Sequence, residues 1–229
     1  MSTADESSAA GDVAAGLMDR IYRRQRHIYD ATRKFFLLGR DHLIERLEPP
    51  PGGLVLEIGC GTGRNLVQAA RRYPTVGFFG LDVSQEMLTT ATANIVGAGL
   101  AGRIALARGD ATAFDPAALF GRRRFDRVFF SYSLSMMPEW RRALSGALAC
   151  VERDGRLLLV DFGGQERLPA AFRSLLLAWL ARFHVVPRSD LARTVAGLAA
   201  ERNRIHRAGP LFRGYALYAE VGRILVERI

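Results

Sequence analysis

Residues 54–65 read LVLEIGCGTGRN, and this stretch determines the class of fold that the sequence predicts. A short apolar run with the length of a buried strand comes first. It is followed by three glycines at alternate positions, Gly59, Gly61 and Gly63. Glycine lets the backbone turn sharply and lets a ligand approach the main chain closely. The stretch therefore predicts a strand, a glycine turn and a helix, with a ligand site at the carboxyl end of the strand.

The spacing of the glycines argues against a dinucleotide site. Such sites need G-x-G-x-x-G, because the third glycine allows close packing of helix and strand while the helix end faces a pyrophosphate. Here Arg64 occupies the third glycine position, and the spacing is G-x-G-x-G. Glu57 lies within the strand end, where its charge repels phosphates and suits a cationic group. The stretch favours a nucleoside ligand without phosphates.

Two further acids follow apolar runs that read as strands. Asp82 ends the second strand, where a carboxylate is placed to accept hydrogen bonds from a ribose diol. Asp110 follows the third strand and is succeeded by Ala111. Acids at single strand ends often cap the next helix. Three acids at consecutive strand ends, counting Glu57, instead predict one binding edge.

The whole sequence predicts an α/β fold, in which a Rossmann-like, doubly wound, mostly parallel sheet carries an N-terminal helical cap and C-terminal helical additions. Residues 1–50 form the tail and cap, residues 51–165 the cofactor-binding core, and residues 166–229 complete the same domain. Helices are predicted over residues 16–47, 66–72, 84–96, 139–151, 172–183 and 189–201. Strands are predicted over residues 54–58, 76–81, 104–107, 127–130 and 156–161, with one or two more in 205–221.

The residues after the fourth strand read SYSLSMM, from Ser131 to Met137. Hydroxyls, a phenol and two methionines at a carboxyl strand end can hold a polar nucleophile beside an apolar wall. A simple connector is the alternative. The predicted cap also interleaves aromatic residues such as Tyr29 with basic ones, a mixture that suits a membrane interface or a pocket mouth, although core packing is the commoner explanation.

The composition limits which binding partners and which cellular compartment are expected. The 229 residues carry 32 basic and 23 acidic side chains, a formal charge of +9, which is compatible with nucleic acid, an anionic membrane surface or solubility alone. Two cysteines make no disulfide framework, and no spacing of cysteine and histidine predicts a metal site. No basic region followed by an apolar stretch marks a signal peptide. We expect a cytoplasmic protein.

With these residues together, the sequence resembles the class I S-adenosylmethionine-dependent methyltransferases. Residues 57–63 match the first motif of that family. The resemblance implies that Gly59, Gly61 and Gly63 wrap the methionine portion of S-adenosyl-L-methionine and that Glu57 helps to hold its ammonium group. It also implies that Asp82 takes the ribose hydroxyls and that the segment Asp110-Ala111 contacts the adenine. We place Ser131 at the same cofactor site.

A narrower resemblance covers nearly the full chain. Residues 28–41, 131–140 and 211–216 are similar to the bacterial N-methyltransferases that convert diacylglyceryl-homoserine to a betaine lipid. This likeness implies a lipid headgroup amine as acceptor, and peripheral contact with an anionic membrane at its inner face. Another phospholipid amine, a quinone ring or a small metabolite stay open as acceptors. A non-enzymatic nucleic-acid-binding protein is a distant alternative, because the basic residues are dispersed and no nucleic-acid motif is present.

Methyl transfer to an amine needs alignment and a dry site more than a strong base. We predict that Tyr29 and Tyr132 orient the amine, because a phenol can donate or accept and its ring face can hold a methylammonium. Arg33 is predicted to pair with a headgroup carboxylate, with lipid phosphate as an equal alternative.

Overall fold

A computed structural model describes residues 37–183 and 185–222, and its centre is a seven-stranded sheet. The strands lie in the order β3-β2-β1-β4-β5-β7-β6. Their bounds are β1 Leu54–Ile58, β2 Gly77–Asp82, β3 Ile104–Arg108, β4 Phe125–Ser131, β5 Val151–Phe162, β6 His206–Leu211 and β7 Ala216–Val221. The predicted α/β class and the mostly parallel sheet are confirmed.

Helices flank the sheet on both faces. Their bounds are α1 Arg40–Leu47, α2 Arg64–Arg72, α3 Gln85–Gly97, α4 Pro116–Phe120, α5 Trp140–Ala149, α6 Ala170–Arg182 and α7 Leu191–Glu201. Neighbouring residues of β4 show the two layers, because Phe129 and Phe130 are both fully buried but belong to different apolar clusters. Burial on both faces is the reason that the parallel strands read as continuous apolar runs.

Strand β1 lies at the point where the order of the sheet reverses. It pairs in parallel with β2 on one side and with β4 on the other. In sheets of this kind the ligand binds outside the carboxyl ends of the strands at such a switch point. The glycine turn after Ile58 is therefore at the position where a ligand is expected.

The predicted N-terminal helix over residues 16–47 is confirmed over residues 40–47, and the prediction is wrong for residues 37–39. Helix α1 begins only at Arg40, since Gly39 precedes it with a left-handed φ of 88°. A Cβ on Gly39 would lie 3.1 Å from side-chain atoms of both Leu211 and Val160. The chain thus turns sharply against β5 and β6, which a continuous helix would not allow. Residues 1–36 lie outside the described part.

Other elements differ from the sequence prediction mainly at their ends. The short helix α4 was not predicted, although Pro116 at its first turn and a side-chain cap from Asp115 to the Ala117 N–H are typical start signals. The predicted cap of α3 is confirmed, because the Ser84 hydroxyl accepts from the Met87 N–H at 3.3 Å. The last segment forms both possible strands, β6 and β7.

Candidate functional site

The glycine turn after β1 has the backbone geometry that its sequence predicts. Gly59, Gly61 and Gly63 have φ values of 74°, 53° and 73°, in the left-handed region that favours glycine. A Cβ on Gly59 would lie 2.6 Å from the Cβ of Ser133. The turn is fixed to the next strand, since the N–H groups of Gly59 and Cys60 both donate to the Leu81 carbonyl. The main chain therefore passes closely between β2 and the loop after β4.

Asp82 joins the end of β2 to this turn. Its Oδ2 accepts the Gly61 N–H at 2.7 Å, and its Oδ1 accepts the Ser84 N–H at 3.0 Å. The arrangement holds Asp82 in one orientation beside the glycine turn. Its predicted contact with the ribose stays a prediction.

Glu57 is a carboxylate inside the protein, with only 1% of its surface exposed. Its Oε1 accepts a hydrogen bond of 2.7 Å from the Asn65 side-chain amide, which is also buried. A buried carboxylate is stable only when it is paired or hydrogen-bonded. Asn65 was not predicted as a site residue. Its position two residues after Gly63, and eight residues after Glu57, is the signal that marks it.

A cleft of about 360 Å³ opens at this edge of the sheet. Three of the predicted cofactor residues line it: Glu57, Gly59 and Ser131. The other lining residues are Leu37, Arg40, Cys60, Thr62, Arg64, Asn65, Thr90 and Asn94. The cleft therefore joins the glycine turn, the end of β4, helix α3 and the segment that enters α1.

Asp110 and Ala111 lie further along the same edge and do not line the cleft. Asp110 is exposed, and its Oδ1 accepts from both the N–H and the hydroxyl of Thr112 at 2.8 Å. Ala111 is buried in the apolar cluster on one face of the sheet. The Gly109 N–H donates to the Asp82 carbonyl at 3.0 Å, so the two acids end adjacent strands. Their predicted contact with adenine stays a prediction.

Ser131 ends β4 and lines the cleft. Its buried hydroxyl has no hydrogen-bond partner among the described residues. An unpaired buried hydroxyl is costly, and a ligand in the cleft would relieve that cost. The residues present fit a nucleoside with a cationic amino acid portion, since the cleft combines a buried acid, close backbone approach and an unused hydroxyl.

Tyr132 follows Ser131 and is almost fully buried, with φ at 56°. Its hydroxyl donates to the Leu38 carbonyl at 2.6 Å, and its ring packs edge-on against Phe162 with centroids 4.8 Å apart. Burial raises the pKa of this phenol well above its ordinary value. Tyr132 thus holds the segment that enters α1 against the end of β4. Whether it also orients an amine stays a prediction, and Tyr29 and Arg33 lie outside the described residues.

The segment before α1 contributes cleft residues that sequence reasoning missed. Leu37 and Arg40 line the cleft, and the Arg40 Nε donates to the Leu37 carbonyl at 3.1 Å. Across the cleft, Arg64 at the start of α2 pairs with Asp41 of α1 at 3.3 Å. Because these residues are far apart in sequence, no local sequence pattern predicts their contacts.

The loop after β4 is fixed from two sides. The carboxylate of Asp161 in β5 accepts the N–H groups of Ser135 and Phe162, at 3.1 and 2.8 Å. Arg188 donates to the carbonyls of Leu134 and Met137, at 3.3 and 2.6 Å. Complete burial raises the pKa of the Asp161 carboxyl to about 6, against the lowering effect of its hydrogen bonds. The loop is thus a rigid wall beside Ser131.

Residues 55–155 match a family model described as a methyltransferase domain. The core is a methyltransferase domain. The fold is the Rossmann-like α/β fold of solved methyltransferases, as the sequence predicts. The solved S-adenosylmethionine-dependent methyltransferase SibL matches the fold with a TM-score of 0.67 at 21% identity, over 86% of this chain and 57% of that one.

Two curated methyltransferases match parts of the chain at higher identity. Nocamycin O-methyltransferase of Saccharothrix syringae is 32% identical over 139 residues, which cover 60% of this chain and 48% of that protein. Phosphatidylethanolamine N-methyltransferase of Cereibacter sphaeroides is 32% identical over 120 residues, 52% of this chain and 56% of that protein. The chain therefore spans about half the length of these relatives.

No helix within 37–183 and 185–222 is both long and apolar enough to cross a membrane. The same part of the chain contains no group of three or more His, Cys, Asp or Glu side chains that could hold a metal ion.

Proposed function

We propose that this methyltransferase domain transfers methyl groups from S-adenosyl-L-methionine to the amine of a lipid headgroup, with diacylglyceryl-homoserine as the acceptor and its trimethylated betaine lipid as the product. The protein reaches this substrate by peripheral contact with an anionic membrane surface at the inner face. Nucleic acid is not a partner in this proposal.

The observation that carries the proposal is the composition of the cleft wall. Residues 28–41 resemble the betaine-lipid enzymes, and the described end of that segment supplies Leu37 and Arg40 to the cleft. These two residues face a wall made of Glu57, Gly59 and Ser131. The segment that carries the acceptor resemblance thus meets the cofactor motifs at one cleft. A guanidinium at this position suits a carboxylate-bearing headgroup such as homoserine.

Methyl transfer to an amine requires the protein mainly to position the two reactants. The bound cofactor supplies an activated methyl group, and transfer to an amine nitrogen releases S-adenosylhomocysteine and a proton. Glu57 binds the ammonium group of the amino acid portion, and Asp82 orients the ribose. The fixed loop after β4 and the apolar side chain of Leu37 exclude water from the reacting pair. Tyr132 keeps Leu38, and with it this part of the wall, in place.

The relatives differ in acceptor, so their names alone do not select one. One is named for O-methylation and the other for N-methylation of phosphatidylethanolamine. The second name supports a lipid amine for this chain. Another phospholipid amine is the second candidate, and a quinone ring is disfavoured because it carries no carboxylate for Arg40 to bind.

Expression in a host that is supplied with diacylglyceryl-homoserine tests the acceptor. We expect lipid mass spectra to show this lipid gaining one, two and three methyl groups. The matched control is the Asp82→Ala variant at equal expression, which we expect to leave the lipid unchanged. Methylated phosphatidylethanolamine with unmethylated diacylglyceryl-homoserine would transfer the proposal to the second candidate, and no methylated lipid would contradict a lipid acceptor.

A further inference from the structure

The carboxyl edge of the sheet carries a cluster of exposed apolar side chains that the cleft does not use. Large apolar residues are mostly buried here, and exposed ones grouped on one face mark an interaction surface. Leu175 is the extreme case, with 70% of its surface exposed. We call the cluster the apolar rim, and its members are Leu38, Phe172, Leu175, Val186 and Phe212.

Helix α6 places two residues of this rim, Phe172 and Leu175, across the strand ends. It begins shortly after β5 ends at Phe162. Beyond its end, the Val186 N–H donates to the Ser135 carbonyl at 2.9 Å, and Ser135 lies just after β4. Both ends of α6 are therefore at the carboxyl edge. Leu176 and Leu180 hold the helix on the protein, and the other face, with Leu175, is open to solvent.

The remaining rim residues lie at the same edge, beside the cleft. Strand β7 runs antiparallel to β5, and Ala216 pairs with Phe162, so the turn before β7 that contains Phe212 lies at the carboxyl edge. Leu38 is close to it, because a Cβ on Gly39 would be 3.5 Å from the Phe212 ring. Leu38 also lies between Leu37 and Arg40 in the sequence, and both of those residues line the cleft.

The charges around the rim indicate which kind of surface it binds. Helix α6 reads AAFRSLLLAWLAR and contains no acidic residue. Among the described residues, the exposed charged side chains that lie near the rim in sequence are Arg167, Arg173, Arg182, Arg213 and two acids, Asp41 and Glu166. An apolar face with arginines at its border binds the interface of an anionic bilayer, where the apolar groups enter the acyl boundary and the guanidinium groups meet lipid phosphates.

We propose that the apolar rim docks this protein on an anionic lipid bilayer, so that the cleft faces the headgroups. This inference rests on the proposed function for the identity of the substrate, but the docking itself needs neither cofactor nor methyl transfer. It assigns α6 as the interfacial helix and the Phe212 turn as the second anchor. A second copy of this chain is the competing occupant of the same face.

Sedimentation of the full chain with vesicles tests the docking. The probes are vesicles of phosphatidylcholine alone and vesicles that also contain phosphatidylglycerol. We expect binding to the anionic vesicles only, weakening as salt is added. The Phe172→Ser/Leu175→Ser variant is expected to bind about tenfold more weakly, since two apolar side chains no longer enter the bilayer. The Arg173→Gln/Arg182→Gln variant is expected to lose a similar factor at low salt.

Matched controls are available at the opposite edge. Val96 and Ile205 are also exposed, but α3 ends at Gly97 and β6 starts at His206, both at the amino edge. The Val96→Ser/Ile205→Ser variant therefore loses two exposed apolar groups away from the rim, and we expect its vesicle binding to equal that of the parent. Arg122→Gln/Arg123→Gln, just before β4, is the control for charge.

The outcomes separate this inference from the proposed function. Vesicle binding that is equal in the rim and control variants, or absent in the parent, would overturn the docking. Dimerisation that the Phe172→Ser/Leu175→Ser variant abolishes, without vesicle binding, would assign the face to a second copy and overturn it as well. Rim-dependent vesicle binding without methylation of any lipid would support the docking and contradict only the proposed function.

Discussion

Asp82 Oδ2 accepts the backbone N–H of Gly61 at 2.7 Å, so the acid that ends β2 holds the glycine turn that follows β1. The two cofactor motifs of the sequence are thus one hydrogen-bonded unit. Asp82→Ala removes both this bond and the predicted partner of the ribose. We expect calorimetry to detect no binding of S-adenosyl-L-methionine to this variant, and the same for Gly61→Arg, which fills the turn.

Asp126 provides the matched control for that substitution. Its Oδ2 accepts the Leu54 N–H at 2.8 Å, a similar bond from a carboxylate to the backbone of β1, but at the other end of the strand. Asp126→Ala is expected to lower stability by about 1 kcal/mol while cofactor binding is kept. Equal cofactor binding in the Asp82 and Asp126 variants would contradict the assigned site.

A substitution at Gly59 tests how closely the backbone of the turn approaches Ser133. Gly59→Ala introduces a Cβ that would lie 2.6 Å from the Ser133 Cβ, at a φ of 74°. We expect the free energy of unfolding to fall by roughly 1 to 3 kcal/mol in chemical denaturation. Gly97→Ala, at the end of α3 with open space around it, is expected to be neutral or stabilising. Similar losses in both variants would mean that the turn is not tightly packed.

A substitution at Tyr132 tests the hydrogen bond that joins the loop after β4 to Leu38 in the cleft wall. Tyr132→Phe removes the 2.6 Å bond to the Leu38 carbonyl, and we expect lower turnover with unchanged cofactor affinity. Tyr73→Phe is the control, since the Tyr73 hydroxyl also donates to a backbone carbonyl of α1, that of Ile44 at 2.9 Å. Each variant should lose about 1 kcal/mol of stability. Turnover that falls equally in both would reduce Tyr132 to a structural role.

Asp161 makes stability depend on pH. Its pKa is raised to about 6 by burial, so the folded protein binds this proton more tightly than the unfolded chain does. The protonated Asp161 carboxyl therefore makes its full contribution to the free energy of unfolding below about pH 4. That contribution, roughly 3 kcal/mol, is lost as the pH rises through 6. We expect urea unfolding of the parent to show this loss, and Asp161→Asn to lack it. A parent curve parallel to that of the variant between pH 4 and 7 would contradict the buried carboxyl.

The predictable part of the site is the part that local sequence encodes. The turn at Gly59, the acid at Asp82 and the cap at Ser84 each follow from a few consecutive residues with a fixed backbone role. The apolar runs of the central strands are likewise local, because burial on both faces requires them. This is why the fold class and the backbone geometry of the glycine turn could be predicted without coordinates.

The parts that could not be predicted depend on contacts between distant residues. The start of α1 at Arg40 goes with the close packing of Gly39 against Leu211 and Val160, which no local pattern contains. The roles of Arg40 in the cleft and of the Tyr132 hydroxyl at Leu38 depend on the same packing. Propensity favours helix through this segment, and tertiary contacts override it.

The most direct test of the proposed function is methyl transfer with purified protein. The protein is incubated with S-adenosyl-L-methionine carrying a deuterated methyl group and, in separate reactions, with diacylglyceryl-homoserine, phosphatidylethanolamine and a phenolic acceptor, and the products are analysed by mass spectrometry. The account predicts up to three deuterated methyl groups on the homoserine nitrogen and none on the phenol. Label on the phenol, with the homoserine lipid unchanged, would contradict it.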